Sequence, residues 1–213
     1  MSDTKTTIIL VRHGECSANA EGRFRGRMDF PLNDTGMLQA EQTASAIEKL
    51  RPAALYSSPL LRAVQTLTPA AQRLGLEITI DDALNNVLLG SWEGRLKKEI
   101  AAEFPDLWNQ WLNEPENLHF PGMESLTDVA RRSRQFIDSL VRTHAGQTIA
   151  VCTHRTVLKP LVPNCLGIPV PWFWRFHFDN ASISIMLCEQ DRGYSLFSLN
   201  DTHHLSTLSR EWN

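Results

Sequence analysis

The chain has 213 residues, 42% hydrophobic and 21% charged, with a formal net charge of -3 at pH 7. That is the composition of a soluble globular protein, and no Pro-, Gly- or Ser-rich linker divides it, so residues 1–213 are expected to form a single domain. The acidic balance argues against a nucleic-acid partner, the longest apolar run is far too short to cross a bilayer, and no apolar core of a secretory signal follows the polar segment Met1 to Lys5, so a cytoplasmic location is expected.

An apolar, β-branched run from Thr7 to Val11 predicts the first strand, and it ends in Leu10-Val11-Arg12-His13-Gly14-Glu15. A histidine beside an arginine and a glycine at the carboxyl end of a strand stands where an α/β sheet usually builds its site, and it can attack phosphorus while its neighbours hold the phosphate oxygens. Cys16 follows closely; the other cysteines, Cys152, Cys165 and Cys188, lie in apolar stretches where a thiol behaves as a small hydrophobe, and none of the four forms a C-x-x-C pair. Arg23, Arg25 and Arg27 gather with Arg12 into a local anion site on an otherwise acidic chain.

A helix is expected from about Gly36 to Leu50, with Asp34 near its start, then a strand over Ala54 to Ser57. Ser58 as N-cap and Pro59 at the first helical position predict a helix that stops before Gly75, and Ile78 to Ile80 reads as a strand. Residues 96–123, where Trp108 and Trp111 lie on short pieces broken by Pro105, Pro115 and Pro121, read as a helical insertion beside the site. The run Ser125-Leu126-Thr127-Asp128 opens a helix to about His144 in the manner of a capping box, with aspartate in place of glutamate. A strand over Thr148 to Cys152 and a hairpin of Ser182 to Leu187 with Tyr194 to Leu199 complete the chain. Trp108, Trp111, Trp172, Phe173 and Trp174 read as core and are left outside the site. Strand-helix alternation of this kind predicts an α/β fold, a three-layer α/β/α sandwich with a mostly parallel central sheet.

In a parallel sheet the carboxyl ends share one edge, so Arg12 and His13, Arg62 in the stretch after Ser57, and His154 after the strand of Thr148 can converge on one crevice. A phosphate suits it: arginine supplies charge-assisted donors in forked geometry, and neither a metal ligand set nor a cofactor is called for.

These residues fall within a longer series of motifs: Leu10 to Glu15 with Asn19; Gly26, Asp29, Pro31 and Leu32; Tyr56 to Leu60 with Arg62, Ala63, Gln65 and Thr66; Gly90-Ser91-Trp92-Glu93-Gly94; Pro121 to Ser125; Thr153-His154; and Asn180 to Ile183. In order and spacing the series resembles the histidine phosphatase superfamily, in the branch of cofactor-dependent phosphoglycerate mutases and their phosphatase relatives. The resemblance implies the family's α/β/α fold, with His13 as a nucleophile that forms phosphohistidine and Arg12, Arg62 and His154 holding the transferring phosphoryl group. It also implies that Asn19 adds a hydrogen bond, and it raises a homodimer as one possible assembly.

The chain departs from the resemblance in three places. A glutamate four residues before the glycine of Gly-x-Trp-Glu-Gly typically protonates the leaving oxygen in these relatives, and here that position is Asn86, which cannot transfer a proton at neutral pH. Asp82, Glu93, Glu15 and Asp29 are the candidates to replace it; otherwise the substrate carries a leaving group that needs little protonation, or the protein binds phosphorylated ligands and turns them over slowly. Arg155 stands where a glycine is common and Arg25 where a glutamine is frequent, and both are expected to read a second anion on the substrate; Asn19, Arg25, Gly26, Asn86 and Arg155 are the expected substrate-binding residues. The expected function is metal-independent hydrolysis of a small phosphorylated metabolite. A phosphoglycerate-type mutase, disfavoured by the absence of long closing segments, and a weakly active binding module are the alternatives.

Overall fold

The computed structural model describes residues 5–208. In chain order it forms β1 (Lys5–Arg12), α1 (Ser17–Ala20), α2 (Asp34–Leu50), β2 (Ala54–Ser57), α3 (Leu61–Leu74), β3 (Ile78–Ile80), α4 (Lys97–Glu103), α5 (Pro105–Asn113), α6 (Leu126–Thr143), β4 (Thr148–Thr153), α7 (Arg155–Cys165), β5 (Ile183–Glu189) and β6 (Gly193–Asp201). The six strands make one sheet in the order β3-β2-β4-β1-β5-β6. β1, β2, β3 and β4 run parallel to one another, while β5 pairs antiparallel with β1 and β6 antiparallel with β5.

Successive side chains of a strand point to opposite faces, and here that alternation divides the core. Ile8 and Leu10 of β1, with Ile149 and Val151 of β4, pack against Ile137 and Leu140 of α6 and Leu158, Leu161 and Val162 of α7. Ile9 and Val11, with Ala150 and Cys152, face Ala44 and Ile47 of α2 and Ala63, Leu67 and Ala70 of α3. Central strands covered on both faces bury nearly every residue, which is why β1 reads as one continuous apolar run. A third cluster joins Phe24, Trp92, Trp111, Phe120 and Phe173, so the predicted insertion packs its aromatics against the loop after α1.

Three local expectations need correction. Ser58 is not an N-cap and Pro59 is not the first helical residue: α3 begins at Leu61, and its first N–H is capped from a distant loop by Asp29 Oδ1 at 2.8 Å. α2 begins at Asp34, because Asn33 Oδ1 accepts from the Gly36 N–H at 2.8 Å. α7 was not expected at all, since Pro160 and Pro163 lie inside it and remove the donors that would bond the Thr156 and Lys159 carbonyls. Complete burial of Leu158, Leu161 and Val162 offsets that loss. The helix expected at Ser125 is present, with Ser125 Oγ accepting from the Asp128 N–H at 3.0 Å.

Candidate active site

β1, β2 and β4 are mutually parallel, so their carboxyl ends open on one edge of the sheet, and the chain continues from them into His13, Ser58 and His154. The His13 N–H donates to the Thr153 carbonyl at 3.0 Å and the Ser58 N–H to the Cys152 carbonyl at 3.0 Å, which extends the ladder one residue past the strands. The two imidazole rings end with centroids 5.1 Å apart. Gly14 lets this loop pass close to α2, where a Cβ would lie 2.9 Å from the Gly36 carbonyl oxygen.

His13 Nδ1 lies 2.7 Å from the Gly14 carbonyl oxygen. A carbonyl only accepts, so Nδ1 carries the proton and Nε2 keeps its lone pair. Burial holds the His13 pKa well below the ordinary 6.5, and the guanidinium groups of Arg62, Arg12 and Arg25 push the same way against the Gly14 hydrogen bond. His154 is held low by burial first, then by the neighbouring cations and His13. Its Nε2 meets Ser58 Oγ at 2.7 Å. Both histidines are therefore neutral at pH 7.

Arg12 and Arg62 are fully buried. Arg12 Nη1 donates to the Phe178 carbonyl at 2.7 Å, while Arg62 Nη1 and Nη2 donate to the carbonyls of Met28 at 2.8 Å and Gly26 at 3.0 Å. Burial, with Arg25 adding to it, lowers the Arg62 pKa to about 10, which leaves the group charged at neutral pH. Arg62 Nε and His154 Nδ1 are buried and have no hydrogen-bond partner among the described residues. Buried polar atoms of this kind are what the oxygens of an anion satisfy.

Beside the histidines lies a small cavity that opens to solvent. His13, His154, Arg25, Gly26, Asn86 and Arg155 line it, so six of the nine residues expected at the site meet there. Arg12 and Arg62 are not among the lining residues, although both act electrostatically on His13. Asn19 is not among the lining residues either: its Oδ1 accepts from the Cys16 N–H at 3.1 Å and from the Cys16 Sγ–H at 2.9 Å, ordering the turn after Gly14.

Gly26 sits at φ 49°, and a Cβ there would collide with the Glu93 side chain. Its carbonyl gathers both Arg62 Nη2 and Asn86 Nδ2, the latter at 2.8 Å. The Asn86 amide is held the other way round by the Val87 N–H, which donates to Oδ1 at 3.0 Å, and by the Thr156 hydroxyl. Backbone partners on both sides fix which atom is nitrogen.

The four carboxylates considered as substitute acids all lie off the cavity lining. Glu93 Oε1 accepts from the Leu89 N–H at 2.9 Å and the Arg27 N–H at 3.0 Å; Asp29 caps α3; Glu15 accepts from Asn33 Nδ2 at 2.7 Å; Asp82 opens a single 3-10 turn. Among the described residues no aspartate or glutamate lines the cavity.

Sequence reasoning missed Thr156, Lys97, Leu89, Phe24 and Trp111, which also line the cavity, and it read Arg23 only as part of the arginine cluster. Trp111 is the correction to the aromatic assignment: it packs edge-on to Phe24 at 5.4 Å and Phe173 at 5.2 Å and still presents a face to the cavity. Thr156 was within reach, two positions past His154 on the first turn of α7, had that helix been recognised. Lys159 of the same helix is buried, with Nζ 2.5 Å from the Phe173 carbonyl and 4.4 Å from the Phe173 ring centroid. Burial, reinforced by Arg155 and Arg12, lowers its pKa to about 6.

Two neutral histidines side by side, with buried guanidinium groups in the same neighbourhood, make a site whose chemistry suits a phosphate group. Residues 8–202 match the model of the histidine phosphatase superfamily (branch 1). The chain belongs to that superfamily and is an enzyme of the histidine phosphatase type. It is 34% identical over 198 residues to phosphoserine phosphatase 1 of Hydrogenobacter thermophilus, covering 93% of each chain. A protein of Yersinia pestis named as a probable phosphoglycerate mutase is 30% identical over 202 residues, covering 93% of this chain and 94% of its own. Among solved structures, a mycobacterial glucosyl-3-phosphoglycerate phosphatase complexed with VO3 superimposes with a TM-score of 0.85 at 27% identity, over 92% of this chain and 99% of that one.

Proposed function

We propose that the protein removes phosphate from small phosphorylated metabolites through a phosphohistidine on His13, with no metal taking part in the step. The observation that carries this reading is the contact of His13 Nδ1 with the Gly14 carbonyl at 2.7 Å, which directs Nε2, the ring nitrogen left as acceptor, to the nucleophile's role at the cavity, with Arg12 and Arg62 acting electrostatically on the ring.

His13 Nε2 attacks phosphorus, the P–O bond to the leaving group breaks, and its electron pair departs with the leaving oxygen. The transition state spreads charge over the equatorial oxygens, and Arg12, Arg62 and His154 are fixed donors toward them. The leaving oxygen takes a proton from solvent; water then attacks phosphorus, the P–N bond breaks with its pair returning to Nε2, and one water proton passes to solvent. Fixed cations supply the charge that a metal ion would otherwise bring. Asn19 acts here by ordering the turn after Gly14, and Asn86, Gly26, Arg25 and Arg155 shape the side of the cavity that receives the leaving group.

The test is phosphate release from p-nitrophenyl phosphate and a panel of phosphorylated metabolites, with chelator present, for the wild type and His13→Ala. Release abolished in the variant, with acid-labile phosphate trapped on wild-type protein, is the expected outcome; release that persists in His13→Ala overturns the reading. The relative named as a mutase favours a second reading, phosphoryl retention. Phosphate transferred from one phosphoglycerate to another without appearing in solution would establish it.

A further inference from the structure

The main chain of His13 is held as closely as its ring, by a turn far along the sequence. The His13 carbonyl accepts from the Ala181 N–H at 3.1 Å and from Asn180 Nδ2 at 3.1 Å. Both donors belong to a turn that the Ser182 N–H closes on the Asp179 carbonyl at 3.1 Å, and the Arg12 N–H ties the same turn to the end of β1 through the Ser182 carbonyl at 3.1 Å. The turn is strained. Ala181 sits at φ 56°, where a Cβ crowds the backbone and glycine is the usual residue. Among the described residues three non-glycine residues have a positive φ: Arg51 ends α2, while Ala181 and Asn200 both belong to this neighbourhood. A backbone held in such a conformation persists where its surroundings over-determine it.

The surroundings here are the end of β6 and the chain that follows it. Asn200 Oδ1 accepts from the Asp179 N–H at 2.6 Å, and Asn200 Nδ2 donates to Asp179 Oδ2 at 3.0 Å. Further along, His204 Nε2 lies 3.1 Å from the Ala181 carbonyl oxygen, and since a carbonyl only accepts, Nε2 carries the proton. Thr43 of α2 stands beside this bond, with Oγ1 3.2 Å from His204 Nε2 and 3.4 Å from the Ala181 carbonyl. The same segment lies along α2, where Gln42 Nε2 donates to Ser206 Oγ at 2.7 Å. Resting on the phosphohydrolase reading, we propose that His204 is a positioning residue for the nucleophile: it holds the strained Ala181 turn, and the turn fixes the His13 main chain and with it the place of Nε2. The Ala181 N–H and carbonyl belong to the two peptide planes that its φ and ψ join, so bonds to both hold the strained conformation. Without the His204 bond, Ala181 relaxes toward negative φ and its N–H swings away from His13. Misplacing a reacting group by about 1 Å costs up to about a hundredfold in rate.

The experiment measures kcat and KM for p-nitrophenyl phosphate in chelator, well below each protein's Tm. The proteins are the wild type, His204→Ala, His204→Gln, Ala181→Gly, the double variant Ala181→Gly with His204→Ala, and His13→Ala. His204→Ala is expected to lower kcat about tenfold while KM changes less than about twofold, because the phosphate-binding groups stay in place. His204→Gln keeps an Nε2–H donor and is expected to recover most of the loss. Glycine adopts φ 56° without strain, so in the Ala181→Gly background the removal of His204 is expected to cost only about twofold. A merely structural role for His204 would give the same loss in both backgrounds, and that result overturns the proposal. So does a wild-type kcat in His204→Ala, a loss carried by KM alone, or a glutamine variant as slow as the alanine one. Where His204→Ala does not fold, His204→Asn, whose shorter amide falls short of the Ala181 carbonyl, makes the same comparison. Failure of the His204 variants to behave so, with activity abolished in His13→Ala, leaves the phosphohydrolase reading standing; activity that survives His13→Ala removes that reading itself.

Discussion

In the proposed mechanism the attacking form of His13 is the neutral one, and its surroundings hold it there. Burial and the guanidinium groups of Arg62, Arg12 and Arg25 lower its pKa, so kcat/KM for p-nitrophenyl phosphate should stay flat from pH 8 down through the ordinary histidine value of 6.5. A pH profile of the free enzyme, corrected for titration of the substrate, checks this; an acid limb at or above 6.5 would refute it. The same shift sets stability. Below the unfolded value of 6.5 the unfolded chain binds protons that folded His13 and His154 refuse, so stability is full above it and falls as pH drops. Each histidine contributes a slope of up to about 1.4 kcal/mol per pH unit in that window. Asn86 is the other residue whose chemistry decides an outcome. Asn86→Glu should raise turnover of phosphoserine at least tenfold if the missing acid limits it, and steady-state kinetics on the purified variant would show an unchanged rate if it does not.

α3 carries Arg62, and its start is held by a side chain from another part of the chain. Asp29 Oδ1 accepts from the Leu61 N–H at 2.8 Å, in place of the Ser58 cap that the local sequence suggests. Losing an N-cap costs about 1 kcal/mol, and the first turn of α3 also positions the guanidinium of Arg62 against the Gly26 and Met28 carbonyls. Asp29→Ala should therefore lower the Tm by a few degrees and kcat with it, while Asp29→Asn, which caps as well, should keep both. If Asp29 were instead the proton donor, Asp29→Asn would lose activity on alkyl phosphates at unchanged Tm. α7 teaches the converse lesson. Its two prolines disqualify it on local grounds, and only the burial of Leu158, Leu161 and Val162 against α6 and the sheet makes it a helix.

The protein gathers Arg12, Arg62, Arg25 and Arg155 near one sheet edge although its total charge is negative. Their mutual repulsion is a standing cost of the fold, and an anion bound among them relieves it. Inorganic phosphate should raise the Tm, by a free energy of about 2.7 kcal/mol at a hundred times its Kd. Scanning fluorimetry against chloride at equal ionic strength measures this, and His13→Ala, which keeps the arginines, should retain most of the rise. Equal melting in phosphate and chloride would argue against an anion site. No helix among the described residues is long and apolar enough to cross a membrane.

The strands, the three long helices α2, α3 and α6, and the positions of Arg12, His13, Arg62 and His154 were readable in one dimension. Hydrophobic period and the placement of residues just after strand ends are local properties. The sheet order decided the rest: three parallel strand ends, far apart in sequence, share one edge and bring two histidine rings to 5.1 Å. Contacts that local signals could not anticipate include the Asp29 cap on α3, the Thr156 and Lys97 walls, the face of Trp111 in the cavity and the displacement of Asn19 from it. Sequence determines which residues are chemically able to act. Packing at a distance determines which of them meet, because the energy that sets their positions comes from neighbours tens of residues away.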